Sequence, residues 1–282
     1  MSLASFLDFC RRFARNRAAV LGFVLVLLVI ACAIVAPWIF PRDPLRIVGR
    51  PELWPFQSWR FPLGTDSLGR NIASIIMYGA RTTLLIGLFA SITATVIGVS
   101  IGATAAYVGG WVDEGLMRLT ELFQTIPHLV FVLTIVVVLG QELEFVTLAV
   151  AIVSWPPIAR LTRAEFMSLR DREFVQACRA MGMSSIRIMI GEILPNALPP
   201  VIVLSSLVIS GAVLYESAVS FLGLGDPNVA SWGRLIGDGR ILIRTSWYIC
   251  AVPGIAIMLT VLALNLIGDG LNDALNPKLR DR

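Results

Sequence analysis

The stretch "EFVQACRAMGMSSIRI" (residues 173–188) is a polar, charged passage that lies between two long apolar parts of the chain. Gly182 divides it, and glycine readily adopts the left-handed conformation that ends a helix. The pattern therefore predicts two short helices joined at this glycine. We expect Asp171 to cap the first helix and Ser184 to cap the second, which would stop at Pro195.

The first of these helices supports two interpretations. Its residues Phe174, Cys178 and Met181 are expected on one side, where Ala177 and Cys178 keep the surface shallow. One interpretation is a surface helix that lies on the rest of the protein or at the lipid headgroups. The other is a docking element for a soluble partner, since small side chains permit close approach while Phe174 and Met181 anchor the contact.

The composition of the whole chain indicates a membrane protein. The chain has 282 residues, of which 56% are hydrophobic and only 15% are charged. Its mean hydropathy is +0.79. A soluble domain carries about 25% charged residues. The deficit of charge indicates that lipid surrounds most of this chain.

The same composition excludes several kinds of site. Lys278 is the only lysine and has no glycines before it, so the chain lacks a GxxxxGK[ST] phosphate loop. If the protein uses ATP, another chain must bind it. The four cysteines are widely spaced, which predicts neither disulfides nor a metal site. His128 is the only histidine and cannot form a multi-histidine metal site.

Six apolar runs are long enough to cross the hydrocarbon core of a bilayer, which takes about 20 helical residues. The first run continues well beyond the about 7–15 apolar residues of a cleaved signal, which predicts that it is retained as a span. The sequence thus predicts an all-α, polytopic membrane protein with six transmembrane helices. We expect the runs near Val20–Phe40, Thr82–Tyr107, Leu119–Leu139, Phe145–Leu161, Ala197–Val219 and Trp247–Gly268.

The distribution of arginine predicts the orientation, because Lys and Arg favour the cytoplasmic side of a membrane. A cluster of arginines between residues 11 and 17 directly precedes the first span. The N-terminus is therefore expected in the cytoplasm, and an even number of spans puts the C-terminus there as well. The chain then divides into a cytoplasmic segment (1–19), a first transmembrane helix (20–40), an extracytoplasmic loop (41–81), a transmembrane core with the cytoplasmic loop 163–196 (82–268) and a cytoplasmic tail (269–282).

The outer loop contains several prolines, so it cannot be one long helix. Its length exceeds that of a simple connector. It could cap the bundle or contact an extracytoplasmic partner.

The second span contains "GVSIG" (98–102), which is a small-xxx-small pattern. In lipid, small residues let helices approach closely. The same letters match the GxSxG motif of hydrolases, which needs a strand–turn–helix context and a histidine partner. A membrane-embedded hydrolase using Ser100 and His128 is therefore an alternative, but a packing role is favoured because Ser100 lies inside a predicted helix.

Ionisable residues inside predicted spans are candidates for a transport path. Glu216 has no basic residue close to it in sequence, and His128 follows Pro127. Glu121 is three residues after Arg118, so a local ion pair is expected there. Together Glu216, Glu121 and His128 could form the relay of an ion-coupled secondary transporter. Against that alternative, the spans hold few ionisable groups and show no internal repeat.

Four phrases of the sequence resemble a known family, the peptide/nickel subfamily of ABC importer permeases. "FVQACRAMGMSSIRIMIGEILPNALPP" (174–200) is similar to the family's EAA loop. "PLGTDSLGRNIASIIMYGARTTLLIG" (62–87) is similar to the segment before its second span. "SFLGLGDPNVASWGRLI" (220–236) and "LALNLIGDGLNDALNPKLR" (262–280) resemble its fifth-to-sixth span region and C-terminus.

The resemblance implies a type I ABC importer (MetI-like) permease fold, similar to the C-type permease of dipeptide and oligopeptide transporters. Such a subunit lies in the bacterial inner membrane and has no enzymatic chemistry. It forms a heterodimer with a second permease. Two cytoplasmic ATPases, which bind ATP and Mg, associate with it, and an extracytoplasmic substrate-binding protein delivers a peptide or similar small solute. Lipid surrounds it, and nucleic acid is not a partner.

The resemblance also implies which residues couple the chain to its ATPases. In the family the EAA loop fits into a cleft of the ATPase and moves when the ATPases close. This role falls on the segment 173–188, and Glu216 and His128 remain candidates for the path. The coupling residues that the resemblance implies are Phe174, Gln176, Ala177, Cys178, Arg179, Met181, Gly182, Ser184 and Ser185.

The sequence departs from the family pattern at four informative positions. Gln176 stands where the family usually has glutamate, and Cys178 where it has alanine. Glutamine can accept a hydrogen bond from an ATPase arginine but cannot form the stronger charge-assisted pair. Asn71 and Ile75 replace the usual aspartate and arginine of the outer segment, so a charged role is not expected there.

Overall fold

The structure is a computed structural model that describes residues 11–275. Within that range it is helical with no strand, and two isolated β-bridges join Ile47 to Arg70 and Thr65 to Asn71. The predicted all-α fold is confirmed. The first ten residues and half of the predicted tail (276–282) lie outside the described range. The helices are α1 (Arg17–Ile39), α2 (Ile72–Val108), α3 (Gly110–Thr125), α4 (His128–Leu139), α5 (Leu143–Arg170), α6 (Glu173–Ala180), α7 (Ser185–Phe221), α8 (Trp232–Gly239) and α9 (Tyr248–Leu275).

Five of the described helices, α1, α2, α5, α7 and α9, are long and apolar enough to cross a membrane. The pair α3 and α4 makes a sixth crossing only if the two count as one broken span, because they meet at 90°. The apolar run predicted near Leu119–Leu139 is therefore broken into two helices in the structure. Pro127 explains the break, since a proline pushes the preceding residue out of the helical region, and Ile126 is extended with φ −86° and ψ 130°.

The second helix begins earlier than the sequence predicts. It starts at Ile72 and not near Thr82, so the last part of the predicted outer loop is helical. Asn71 caps it by accepting a hydrogen bond from the Ala73 N–H at 3.0 Å. Asparagine can replace aspartate at such a cap because both side chains offer an acceptor oxygen. Ile75 is buried in an apolar cluster, consistent with an uncharged role.

The small residues of "GVSIG" form the contact between α2 and α5, as the packing interpretation predicts. A Cβ on Gly98 would lie 2.7 Å from the Ile158 Cβ, and one on Gly102 would collide with the Ala159 carbonyl oxygen. Glycine lets the two backbones approach to this distance, and dispersion contacts then stabilise the pair. The Ser100 hydroxyl donates to the Val96 carbonyl at 2.7 Å within the same helix.

The first part of α1 packs closely against the second half of α9. A Cβ on Gly22 would lie 2.7 Å from the Ala263 carbonyl oxygen, so only glycine fits there. Asn16 caps α1 and donates through its amide to Asp273 at 2.8 Å. The start of α1 and the end of α9 therefore lie together, as an even number of spans requires.

The predicted cytoplasmic loop 163–196 is mostly helical. The helix α5 continues through Pro156 and Pro157 to Arg170, and α7 begins at Ser185 and continues through Pro195. The prediction that a helix stops at Pro195 is wrong because a π-helical turn over Met189–Ile193 precedes the proline. Such a wide turn accommodates an irregular residue within a helix.

The outer segment between α1 and α2 folds back onto the start of α9. Tyr248 donates its hydroxyl to the Leu53 carbonyl at 2.9 Å, and Ser246 donates to the Glu52 carboxylate at 2.6 Å. Of the two roles expected for this loop, these contacts support the cap. A contact with a partner stays a prediction.

A charged link joins the outer segment to α8. Arg70 pairs with Asp66 at 2.5 Å and with Asp238 at 2.8 Å. Burial would lower the pKa of Arg70, but its hydrogen bond to Asp238 and the charge of Asp66 outweigh burial and raise that pKa. The guanidinium therefore stays charged between the two carboxylates.

Candidate functional site

The helix α6 has one face packed on the rest of the protein. Val175 is fully buried and Cys178 is 8% exposed, and the two lie one turn apart. They belong to a cluster with Ala103 and Ala106 of α2, Phe166 of α5 and Ile188 of α7. The helix thus packs on the ends of three others.

This arrangement corrects the predicted faces of α6. The sequence interpretation placed Cys178 beside Phe174 and Met181, on the surface offered to a partner. In the structure Cys178 is buried together with Val175, while Phe174, one turn before Cys178, is 38% exposed. Cys178 therefore belongs to the buried side of the helix and not to its exposed surface. The i, i+3 spacing of Val175 and Cys178 was the signal that could have found this.

The side of α6 next to this buried one is exposed. Phe174 is 38% exposed and Met181 is 72% exposed, and Ala177 lies between them on the same side. The side chains of Gln176 and Arg179 are also exposed. The result is a shallow apolar strip with polar neighbours, which is the composition of an anchor for another protein.

Gly182 ends α6 in the predicted left-handed conformation, with φ +75°. The Met183 N–H donates to the Cys178 carbonyl at 3.2 Å, and the Gly182 N–H donates to the Arg179 carbonyl at 3.0 Å. These two bonds define a Schellman motif. Met183 then turns inward and packs on the buried cluster. The predicted left-handed end of α6 at Gly182 is therefore confirmed.

The start of α6 differs from the prediction. Asp171 is the C-cap of α5 and not the N-cap of α6; Arg172 holds that place in an extended conformation. The Gln176 amide donates to the Asp171 carbonyl at 3.1 Å. Ser184 does occupy the N-cap of α7, but its side chain makes no capping bond there. Ser184 and Ser185 are both exposed.

A bidentate ion pair, which the sequence analysis did not find, holds α3 beside α5 near the buried cluster under α6. Arg163 contacts both carboxylate oxygens of Asp113, at 2.5 Å and 2.6 Å. Arg170 donates to the Ala106 carbonyl at 2.8 Å, at the end of α2. The two partners of the ion pair are fifty positions apart in sequence, so no local pattern could have found it.

Glu216 is buried inside the subunit. It is 1% exposed, and its carboxylate accepts hydrogen bonds from Ser231 at 2.7 Å and Ser220 at 2.9 Å. Ser231 is also the N-cap of α8. The carboxylate therefore joins α7 to α8 and does not line an open path in this conformation. The prediction that it lines the path is corrected to a structural link.

His128 begins α4 directly after the break at Pro127. Its Nδ1 lies 3.2 Å from the Tyr215 hydroxyl of α7, and its side chain is half-buried. Its role in a path stays a prediction. The predicted ion pair of Arg118 and Glu121 is confirmed at 3.3 Å on the exposed surface of α3. No hydrogen bond joins Ser100 to His128 in the described residues, and each has a different partner.

Comparison with known proteins gives two family matches. Residues 94–281 match the binding-protein-dependent transport system inner membrane component, and residues 5–52 match the N-terminal transmembrane domain of oligopeptide transport permease C. The first match alone covers more than half of the chain.

The chain is similar to several curated permeases over nearly its whole length. It is 40% identical to the di/tripeptide transport system permease protein of Pseudomonas aeruginosa, over 97% of this chain and 92% of the relative. It is 36% identical to the oligopeptide transport system permease protein of Haemophilus influenzae, over 97% and 88%. It is 36% identical to the glutathione transport system permease protein of Pectobacterium atrosepticum, over 97% and 91%.

A solved structure has the same fold at low sequence identity. The inward-facing MetNI methionine ABC transporter matches 70% of this chain and 94% of its own chain, with a TM-score of 0.58 and 19% identity. The predicted MetI-like permease fold is confirmed.

Proposed function

Since the chain belongs to the family of binding-protein-dependent transport system inner membrane components, we propose that α6 is the element through which ATPase subunits drive it. The chain is a permease subunit of an ABC importer and not an enzyme. It is a multi-pass inner-membrane protein whose partners are ABC ATPases and a substrate-binding protein. An ion-coupled secondary transporter is not favoured.

The observation that carries the proposal is the division of α6 into two faces. Val175 and Cys178 fix the helix to the ends of α2, α5 and α7, and the side chains of Phe174 and Met181 beside them are exposed. A rigid body that holds Phe174 and Met181 would move α6 and, through the buried face, the three long helices. The Schellman turn at Gly182 keeps α6 and α7 in a fixed relation during that movement.

The same residues support a docking geometry. Phe174, Ala177 and Met181 would enter an apolar cleft of the ATPase, with Arg179 and Gln176 at its polar rim. Ser184 and Ser185 lie beyond the turn and would contact the edge of the cleft. ATP and Mg would be bound by the ATPases alone, so ATP-driven closure reaches this chain only through the contact.

We further propose a heterodimer with a second permease, both termini in the cytoplasm, and a peptide or similar small solute as cargo. The arginines next to α1 support the orientation, and the contact of Asn16 with Asp273 supports a shared side for both ends. The names of the relatives, which include di/tripeptide, oligopeptide and glutathione permeases, support a peptide.

The test compares the two faces of α6 in the assembled transporter. We expect F174A/M181A to weaken ATPase binding about tenfold or more, since buried apolar anchors each contribute about 1–2 kcal/mol, while the thermal stability of the permease stays unchanged. V175A is the matched control on the buried face. It removes about 2 kcal/mol of apolar burial and lowers the permease's own stability.

Binding of the ATPase subunits is measured by titration onto the permease pair in nanodiscs, and stability by thermal denaturation of the same sample. Unchanged ATPase affinity and substrate-stimulated hydrolysis in F174A/M181A would contradict the docking role. Transport that requires a proton gradient but no ATP would contradict the importer assignment itself.

A further inference from the structure

A cavity of about 270 Å³ opens on the side of the bundle opposite α6. Three arginines line it: Arg42 and Arg46 follow α1, and Arg60 lies further along the outer segment. All three are exposed. The helix α2 separates the two sites, since Ile72 at its start follows the cavity residue Asn71, and Ala106 near its end lies under α6.

The guanidinium groups at this cavity lack anionic partners. Within residues 11–275 neither Arg42 nor Arg46 makes an ion pair or a side-chain hydrogen bond, and Arg60 lies over the Phe61 ring at 5.7 Å. Asp43 also lines the cavity, but its Oδ1 accepts the Leu45 N–H at 2.8 Å. The lining therefore keeps an excess of positive charge.

One side of the cavity is apolar. Ile39 and Phe40 at the end of α1 line it together with Phe61, while the buried residues Asn71 and Ser74 add polar groups to the lining. The Tyr78 hydroxyl donates to the Phe40 carbonyl at 2.9 Å, which fixes the end of α1 against α2. A ligand that fits both features has an anionic head and an apolar part directly beneath it.

The depth of the cavity in the membrane follows from the length of α1. This helix has 23 residues, or about 35 Å at 1.5 Å per residue, which spans the about 30 Å hydrocarbon core. Its end therefore lies at the level of the lipid headgroups. Trp38 and Trp59 directly precede the lining residues Ile39 and Arg60 and are strongly exposed, as tryptophans at a membrane interface are.

From this geometry we propose that the cavity binds the phosphate group of an anionic phospholipid in the leaflet opposite α6. Arg42, Arg46 and Arg60 pair with the phosphate oxygens, because guanidinium groups match phosphate geometry. The acyl chains leave over Ile39 and Phe40 into the bilayer. The lipid then occupies the junction between α1 and the outer segment, and its loss loosens that junction.

The experiment uses the assembled, delipidated transporter titrated with dihexanoyl-phosphatidylglycerol, with bound lipid measured by native mass spectrometry. Each arginine near a charged lipid contributes about fivefold, so R42Q/R46Q is expected to bind about thirtyfold more weakly. R50Q/R244Q removes the same charge from exposed arginines outside the cavity lining and is expected to bind like the parent protein.

Four results would overturn the proposal. Equal loss in both double variants would indicate unspecific attraction to a positive surface. Displacement of the lipid by inorganic phosphate at a similar concentration would indicate a site for the free anion. Weaker binding of the substrate-binding protein by R42Q/R46Q, with lipid retention unchanged, would assign the arginines to a protein contact. Dihexanoyl-phosphatidylcholine binding as tightly as the anionic lipid would remove the claim of charge selection.

Discussion

Replacing Gly182 by alanine tests whether the turn after α6 transmits force. The residue has φ +75°, a conformation in which an L side chain costs about 1–2 kcal/mol. A Cβ at this position would have no atom within 4 Å, so the cost is conformational and not steric. At about 1.4 kcal/mol per factor of ten, G182A should shift the equilibrium away from the Schellman turn by about 5- to 30-fold.

Comparing different side chains at position 182 separates this conformational cost from other causes. G182N should be close to the parent, because asparagine tolerates the left-handed region better than other residues with a Cβ. G182V should be worse than G182A, because a β-branched residue is a strong outlier there. G115A is the matched control, since Gly115 also has open space around its Cβ but lies within α3 without a positive φ.

Substrate-stimulated ATP hydrolysis by the reconstituted complex is the readout, with ATPase binding measured alongside it. We expect both quantities to decrease in the order parent, G182N, G182A, G182V. The control G115A should leave both unchanged, and its stability should be equal to the parent's or higher by less than about 1 kcal/mol. Normal stimulation in G182V would refute the role of the turn. A defect in G182N equal to that in G182A would refute the conformational explanation.

Three further changes test other contacts. G102A should lower the thermal stability of the complex by about 1–3 kcal/mol, because its Cβ would meet the Ala159 carbonyl oxygen; unchanged melting would contradict the close α2–α5 approach. E216Q should retain most stability because its carbonyl can still accept from Ser231, whereas E216L should lose about 1–3 kcal/mol by leaving buried hydroxyls without acceptors; equal melting temperatures would contradict the buried link. Q176E loses its donation to the Asp171 carbonyl but gains a charge, so ATPase stimulation should be maintained or strengthened; a collapse would contradict the docking geometry.

The sequence predicted the long apolar helices well because each one is specified locally. A run of about twenty apolar residues forms a helix in lipid, because no water is present there to hydrogen-bond the backbone N–H and C=O groups. Gly182 is a similar case: a lone glycine after a short amphipathic helix was enough to place the left-handed turn. The segment 173–188 was singled out because its phrase, "EFVQACRAMGMSSIRI", differs strongly in polarity from the parts around it.

Predictions that depended on the orientation of a short helix failed more often. Cys178 was assigned to the exposed side because eight residues allow several amphipathic faces, and only the cluster with Phe166 and Ile188 selects one. Pro195 was expected to end a helix, yet the preceding π turn lets the chain continue. Glu216 was expected on a path because its partners Ser220 and Ser231 are not recognisable as partners in sequence.

The sequence by itself thus determined the lipid environment, the position of most long apolar helices and the place of the polar segment 173–188, because hydropathy and helix-ending residues act over a few positions. Only the tertiary structure decided which face of α6 is seated, that the third span is broken at Pro127, and that Arg163 pairs with Asp113. It also decided that Arg42, Arg46 and Arg60 surround one cavity. These outcomes depend on contacts between distant residues, and burial and charge pairing are properties of the packed chain.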